Sequence, residues 1–161
     1  MEDRYLSKAK RTDNGEWVQG AYFEFEGEAY IMDIMRSFMS AFYNQKSVVD
    51  FNTRAYEVDK NSICQCTGLK DRKGNLIFEN DIIKDLFSDV CAPIKYGSYQ
   101  SCFDSTKNEH VGFYVNWLGR YAKSRRKDLG YWINMVDAEI VGNIFDNPEL
   151  CWERNNNGKN Y

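Results

Sequence analysis

Histidine and proline are scarce in this sequence, which has one histidine and two prolines among 161 residues. The single histidine, His110, has no partner at metal-ligand spacing, and this disfavours both a histidine-based metal site and a Cys–His nucleophile pair. No stretch reaches the roughly 18 consecutive apolar residues of a membrane-spanning helix. The first four residues, Met-Glu-Asp-Arg, also lack the basic and then apolar layout of a secretory signal. These absences predict a soluble, cytoplasmic protein that does not interact with membranes.

Cysteine is present, but in an arrangement that is unfavourable for metal binding. An odd number of cysteines, in a sequence with no recognisable secretory signal, indicates reduced thiols. Cys64 and Cys66 are separated by one residue, which is closer than the usual C-x₂₋₄-C zinc pair, and no second close pair exists. We therefore predict buried, unligated thiols and neither a metal nor another cofactor. The five positions are Cys64, Cys66, Cys91, Cys102 and Cys151.

Length and charge narrow the class of protein further. A chain of 161 residues is long enough for one domain, or for two small lobes, to fold without metal or disulfide staples. With 43% hydrophobic and 28% charged residues, the composition excludes an intrinsically disordered protein. Lys and Arg total 21 against 24 Asp and Glu, a formal net charge of −3. Because duplex binding depends on cations that neutralise phosphates, this balance disfavours non-specific nucleic-acid binding.

The N-terminal part of the sequence reads mainly as β-structure. A turn at residues 12–15, which ends in Asn-Gly, precedes an alternating aromatic and polar run over 16–26 and a second strand over 29–32. Residues 47–58 are rich in Val, Phe and Tyr and again favour a strand. Between them, apolar residues recur at helical spacing and predict a short helix with one buried face. That apolar stripe consists of Ile31, Ile34, Met35, Phe38, Met39 and Phe42.

The C-terminal part contains many short strand-like runs separated by turn residues. A polar loop over 67–75 leads into runs at 76–78 and 82–84, and further runs follow at 94–99, 110–117, 130–136 and 139–144. This density of short strands predicts a β-meander or small barrel. The predicted organisation is an N-terminal β-rich region over 1–63, a β-barrel region over 64–150 and a polar, flexible tail over 151–161.

A basic loop between residues 116 and 130 is the candidate binding site. Its cations lie near aromatic residues that we expect to be exposed, such as Trp117, Tyr121 and Tyr131, so the loop is suited to grip phosphates while bases stack on the rings. The alternative is a solvated loop whose charges keep the surface soluble, and the acidic total favours that alternative. The candidate nucleic-acid or partner-binding residues are Arg120, Lys123, Arg125, Arg126 and Lys127.

Two motifs give the sequence a specific resemblance to a known family. Residues 65–83 read QCTGLKDRKGNLIFENDII, and residues 139–150 read EIVGNIFDNPEL. Both resemble the YopX family of small bacteriophage and prophage proteins, whose patterns are Q-Y-T-G-L-K-D, then E-G-D-I-V, and V-I-G-N-I-Y-E-N-P-E-L. A weaker match is EWVQGAYF at residues 16–23. This sequence departs from the family at Cys66, where Tyr is common, and at Asn80, where Gly is usual; Asn tolerates positive φ, so we expect that turn to be kept.

The resemblance implies a fold and a way of acting. It implies a mainly β protein in two parts, an N-terminal β region followed by a small SH3-like barrel, that associates with itself in a bacterial host. It implies no enzymatic activity, since the family has none established. The carboxylates of the motifs are better interpreted as turn-formers that accept backbone N–H bonds than as a catalytic set. Those carboxylates are Asp71, Glu79 and Asp81.

Three functions remain open at this stage. The first is a non-enzymatic assembly or binding module, acting on its own copies or on a phage or host protein, because 16% of the residues are aromatic and such side chains dominate interface energetics. The second is a nucleic-acid-binding accessory protein of phage replication or regulation, acting through the basic loop. The third and weakest is an enzyme that uses His110 with Glu109, or with one of several Asp residues, as an acid–base pair.

Overall fold

The computed structural model describes residues 3–33, 55–100, 105–106 and 108–151. The chain divides after Cys66 into two compact units, where the sequence places the division after residue 63. Within the described residues, no helix is long and apolar enough to cross a membrane. The strands of these ranges form two antiparallel sheets, and the same ranges contain one α-helix, so the protein is mainly β, as the sequence predicts.

In the first unit, antiparallel strands pair in the order β4-β3-β2-β1-β5. The long strand β2 is divided between two partners: residues 17–20 pair with β1, and residues 21–25 pair with β3. Gly20 lies at the change of partner, where an added Cβ would be 1.9 Å from the carbonyl oxygen of Met32. Only glycine permits this close approach of the two backbones. The strands are β1 (Ser7–Lys10), β2 (Trp17–Phe25), β3 (Glu28–Met32), β4 (Ala55–Glu57) and β5 (Cys64–Lys70).

The core of this unit is formed by small and β-branched side chains on one face of the sheet. Ala9, Ala29, Ile31 and Val58 are buried together. Ile31 therefore lies in strand β3, whereas the spacing of apolar residues predicts it as the first residue of the helical stripe. The other members of that stripe, and residues 47–54 of the predicted strand, lie outside the described residues, while residues 55–57 form β4 as predicted.

In the second unit, β5 pairs with β6. Four further strands form a sheet in the order β10-β7-β8-β9. The motif turns have the backbone geometry that their residues favour: Gly74 has φ 84° and Asn80 has φ 67°. The prediction that Asn80 keeps a positive-φ turn is thus confirmed. The strands are β6 (Leu76–Phe78), β7 (Asp81–Lys84), β8 (Cys91–Tyr99), β9 (His110–Val115) and β10 (Glu139–Asn143).

The predicted strand over 130–136 is wrong, because Leu129–Asn134 forms a short helix, α1. The three buried side chains of this segment are Leu129, Trp132 and Ile133. Their spacing of three and four residues places them on one helical face, whereas a strand would bury every second residue. The helix packs these side chains into a core with residues from β7, β8 and β9, among them Ile83, Ile94 and Val115.

Candidate functional site

The basic segment holds one arginine inside an aromatic cage. The guanidinium carbon of Arg125 lies 4.9 Å from the ring centroid of Trp117, 4.8 Å from that of Tyr121 and 5.8 Å from that of Trp132. The two indole rings are themselves 4.7 Å apart, and both indole N–H groups donate to the backbone carbonyl of Arg126 at 2.8 Å. These two hydrogen bonds hold the indole rings in place independently of the cation. We refer to the rings of Trp117, Tyr121 and Trp132 as the aromatic cage.

An acidic group completes the cage from a different part of the sequence. Asp85, at the end of β7, forms an ion pair with Arg125, and Ser88 accepts a hydrogen bond from the same guanidinium at 2.7 Å. The Asp85 side chain is 6% exposed and that of Arg125 is 17% exposed, so both charges are largely removed from water. Burial raises the pKa of Asp85, but hydrogen bonds from Ser88 and Arg125 outweigh it, and the net pKa lies below the ordinary value.

The next two cations of the segment also lie over rings of the second unit. Arg126 is 4.9 Å from the ring centroid of Tyr131, and Lys127 is 5.9 Å from that of Tyr114. Each pairing is a cation–π contact of the kind that stabilises exposed or partly buried sites. The structure thus directs Arg126 and Lys127 toward aromatic rings of the protein itself.

The remaining predicted residues are placed differently. Lys123 is exposed, and the backbone of Arg120 lies with it in a 3₁₀ turn, Gly119–Lys123. The expectation that Trp117 is an exposed stacking ring is wrong, because its side chain is 1% exposed and forms a wall of the cage. Of the three expected stacking rings, Tyr131 is 37% exposed. The segment therefore presents Lys123 outward and uses Arg125 internally.

The two faces of the β8–β9 hairpin, here called the ribbon, differ in chemistry. On one face, Tyr99 stacks against His110 and Tyr114 with centroid distances of 5.4 and 5.2 Å. Gly97 lies in this row with φ 152°, a backbone conformation that favours glycine. Burial raises the pKa of Tyr99, and the nearby negative charge of Asp128 adds to that effect.

The opposite face of the ribbon is apolar; Ile94 and Val115 on it are buried in the core, and the part beyond them is exposed to water. Tyr96 pairs with Phe113 across the strands, with their rings 5.1 Å apart, and Ser98 pairs with Val111. Tyr96 is 54% exposed and Val111 is 72% exposed. Since residues opposite each other in an antiparallel pair share a face, these side chains form one surface. We call Tyr96, Val111 and Phe113 the apolar face of the ribbon.

The motif carboxylates hold turns, as the sequence predicts for Asp71 and Asp81. Asp71 Oδ1 accepts the backbone N–H groups of Lys73 and Asn75, each at 2.9 Å. Asp81 accepts the N–H of Phe78 at 2.8 Å. Burial raises the pKa of Asp71. Hydrogen bonds to its carboxylate, first among them those from the backbone and side-chain amide of Asn75, lower the pKa by more than burial raises it, so the pKa lies below the ordinary value.

The groups proposed for acid–base chemistry have separate partners. Glu109 accepts a hydrogen bond from the hydroxyl of Ser98, whereas His110 stacks on Tyr99. Among the described residues, no three His, Cys, Asp or Glu side chains are grouped as a metal site would require. Glu109 and His110 thus each contact a side chain of β8.

The cysteines of the described ranges fall into two classes. Cys64 and Cys66 are buried in β5, while Cys91 and Cys151 are partly exposed. Burial raises the pKa of the Cys151 thiol, and the neighbouring Cys91 adds to the shift. Cys102 lies outside the described residues. The raised pKa makes the Cys151 thiol less reactive as a nucleophile, because the thiolate is the reactive form.

The sequence alone does not identify Asp85 as the partner of Arg125 in the basic segment. It also does not identify Val111 as an exposed apolar residue. Nothing near Asp85 in the sequence indicates a partner forty residues away. A signal for Val111 did exist, because the alternation in His-Val-Gly-Phe-Tyr-Val assigns Val111 and Phe113 to one face of β9. Which face is open to water depends on the rest of the fold.

The fold and these sites define a class: a mainly antiparallel β protein of two units, whose basic segment packs on its own aromatic rings. The family model described as YopX protein matches residues 8–151. The chain belongs to the YopX family. No curated protein matches it.

Proposed function

We propose that this YopX-family chain is a non-enzymatic module that acts by binding and that associates with itself. The observation that carries the proposal is the apolar face of the ribbon, where Tyr96 and Val111 are more than half exposed beside Phe113. Fully burying a side chain of this kind contributes about 1.5–3 kcal/mol, so a second surface that covers the face would gain stability. Tyr is also among the residues enriched at interfaces.

The use of the charged groups supports a binding role over a catalytic one. Asp71 holds a turn, and Asp85 neutralises Arg125 in the aromatic cage. The lowered pKa of each carboxylate keeps it ionised at neutral pH, which suits a structural anion and not a proton donor.

The mass of the protein in solution tests self-association. Size-exclusion chromatography with light scattering, over a series of protein concentrations, is expected to give a mass above the 18.9 kDa of one chain. A second partner, a phage or host protein, is expected in a pull-down from cells that carry the prophage. A monodisperse species of one chain at every concentration would contradict the proposal of self-association.

Nucleic-acid binding is a second candidate, favoured by one observation. Lys123 is exposed, and Arg126 lies beside Tyr131, which is itself partly exposed. Fluorescence anisotropy with single-stranded DNA and RNA should then show a signal that weakens with salt and is lost in Lys123→Glu with Arg126→Glu. Arg125 is unsuitable for this test, because its replacement would damage the cage. Salt-insensitive or absent binding would rule the candidate out.

We also propose that the strands of the second unit close in the manner of an SH3-like barrel, in a phage-encoded protein of the bacterial cytoplasm. Support comes from the number of short antiparallel strands and from the register shift between Ile140 and Gly142, since bulges and bends help small barrels to close. An experimental structure in which these strands form an open sheet would contradict the barrel.

A further inference from the structure

The loop between β7 and β8, residues 85–90, exposes a phenylalanine to water. Phe87 is 88% exposed, whereas Asp85 and Val90 at the base of the loop are buried. The N–H of Asp85 donates to the carbonyl of Val90 at 2.9 Å and closes this base. Asp89 has φ 55°, a left-handed conformation that helps the chain to reverse. A large apolar side chain thus projects from a closed loop, which we call the Phe87 turn.

The largely buried pair of Asp85 and Arg125 fixes the shape of the Phe87 turn. One carboxylate oxygen of Asp85 accepts the backbone N–H of Phe87 at 3.0 Å. The other accepts the hydroxyl of Ser88 and pairs with Arg125. Arg125 also donates to the Ser88 hydroxyl oxygen at 2.7 Å, and its guanidinium lies in the aromatic cage. The turn is therefore anchored to the core of the second unit, and a side chain on a rigid turn loses little freedom when it is covered.

The charges of the Phe87 turn are compensated within the second unit. Asp85 is paired with Arg125, and Asp89 forms an ion pair with Lys84 at 2.8 Å. An apolar surface can therefore cover Phe87 without removing an uncompensated charge from water, which would be costly. The turn is thus suited to an apolar partner surface.

The apolar face of the ribbon is a surface of that kind. Tyr96 is 54% exposed and Val111 is 72% exposed. Ser98, which pairs with Val111, is also exposed and has a short side chain. A ring placed over Ser98 would contact the Tyr96 ring and the Val111 methyl groups, and aromatic pairs gain stability beyond the area that they bury. This face can therefore accept a phenylalanine side chain.

Phe87 cannot reach this face within its own chain. The Phe87 turn precedes Cys91, the first residue of β8, and Ser98 lies seven residues farther along the same strand. At about 3.3 Å per residue, the two ends of this stretch are roughly 23 Å apart. A phenylalanine side chain is too short to span that distance, so the two features can meet only between copies of the chain.

We infer that Phe87 of one copy packs on the apolar face of the ribbon of a second copy, with its ring over Ser98 and in contact with Tyr96 and Val111. The inference rests on the proposed self-association and identifies the two surfaces that meet. A second copy is the favoured occupant, because one chain carries both an apolar projection and an exposed apolar face that cannot cover each other internally. Aromatic side chains are enriched at interfaces of this kind.

Two charge variants, alone and mixed, test this contact. Phe87→Asp removes the projection and Val111→Asp places a charge in the face, so each variant alone should weaken self-association by about tenfold or more. In an equimolar mixture, the Val111→Asp copy keeps its Phe87 and the Phe87→Asp copy keeps its apolar face. The mixture should therefore form a species of two chains, with twice the mass of the 18.9 kDa chain by light scattering.

Met135→Asp is the matched control. Met135 is 75% exposed in the same unit but belongs to neither surface, so this variant should associate as the wild-type protein does. Circular dichroism of all three variants should match that of the wild-type protein, since each substitution is at an exposed side chain.

Photo-crosslinking gives a second readout that does not depend on weakening the contact. Phe87→benzoylphenylalanine keeps an aromatic ring at the projection and becomes reactive on irradiation. Mixed with an isotope-labelled wild-type copy, it should link the two chains through a labelled peptide that contains residues 96–99 or 110–113. Mass spectrometry of the digested product identifies that peptide.

The outcomes separate this contact from self-association as such. If the wild-type protein associates and either Phe87→Asp or Val111→Asp associates equally well, the inference is overturned while the proposed function stands. If the wild-type protein is a single chain at all concentrations, both fall. Loss of association in both variants without recovery in their mixture, or a cross-link to another part of the chain, would overturn the pairing of these two surfaces.

Discussion

At the scale of single residues, Arg125 and Asp85 show how a charge is kept inside this protein. The guanidinium has rings on several sides and a carboxylate and a hydroxyl as hydrogen-bond partners. Rings alone would not compensate for the loss of water, because a buried cation is stabilised only when it is paired and hydrogen-bonded. The cage therefore depends on its acidic partner as much as on its aromatic walls.

Removal of the Arg125 side chain is expected to be strongly destabilising. Arg125→Ala leaves the Asp85 carboxylate buried without its cation, and the loss of one partner of such a pair costs about 3–5 kcal/mol. Arg126→Ala is the matched control, because its contact with the partly exposed Tyr131 contributes about 0.5–1 kcal/mol. Urea unfolding followed by circular dichroism measures both. Equal losses in the two variants would contradict the account of the cage.

The same carboxylate should make stability depend on pH. The pKa values of Asp71 and Asp85 lie below the ordinary 3.8 in the folded protein, so the unfolded chain binds more protons in that range. Their contribution to the free energy of unfolding is present above pH 3.8 and is lost as the pH falls below it toward the folded pKa values. Unfolding measured at successive pH values should show this decline, and Asp85→Asn should make it shallower. Parallel curves for the two proteins would contradict the prediction.

At the scale of secondary-structure elements, the change of partner along β2 depends on Gly20. A methyl group at this position would overlap the backbone carbonyl of Met32, and backbone cannot move aside as a flexible side chain does. Gly20→Ala should therefore lower the free energy of unfolding by at least about 2 kcal/mol. Gly112→Ala, which adds the same group where no atom lies within 4 Å, should cost less than about 1 kcal/mol. Comparable losses of unfolding free energy in Gly20→Ala and Gly112→Ala, measured by thermal or urea unfolding, would show that the close approach of Gly20 to Met32 is not the cause.

Elements determined by local sequence could be predicted, and those determined by distant contacts could not. The turns at Gly74 and Asn80 follow from the residues themselves, since few residue types accept positive φ. The segment of α1 is short and aromatic, which favours a strand in the sequence, although the spacing of Leu129, Trp132 and Ile133 contains the helical period. The burial of Trp117 and the pairing of Arg125 depend on packing across distant parts of the chain.

At the scale of the whole molecule, the two units have separate cores. In the described part of the first unit, the core is formed by Ala9, Ala29, Ile31 and Val58. The core of the second unit includes two tryptophans and several isoleucines. Because hydrophobic stabilisation follows the apolar area removed from water, the second core is expected to be the more stable of the two.

Native-state hydrogen exchange should show this difference. The slowest amides are expected in the strands that hold Ile83, Ile94 and Val115, and those of Ala29 and Ile31 should exchange earlier under increasing denaturant. The two sets of amides would then report two opening events. A single set of exchange free energies shared by both groups would contradict separate cores and would indicate that the chain unfolds as one cooperative body.

The aromatic cage also provides the chain with a built-in optical reporter. Trp117 and Trp132 are two of its four tryptophans, and their indoles are held at a fixed tilt of 56°. Chromophores fixed in an asymmetric surrounding give near-ultraviolet circular dichroism, which disappears when packing becomes fluid even if secondary structure persists. The near-ultraviolet circular dichroism of this indole pair would thus report on the packing of the second unit without any label.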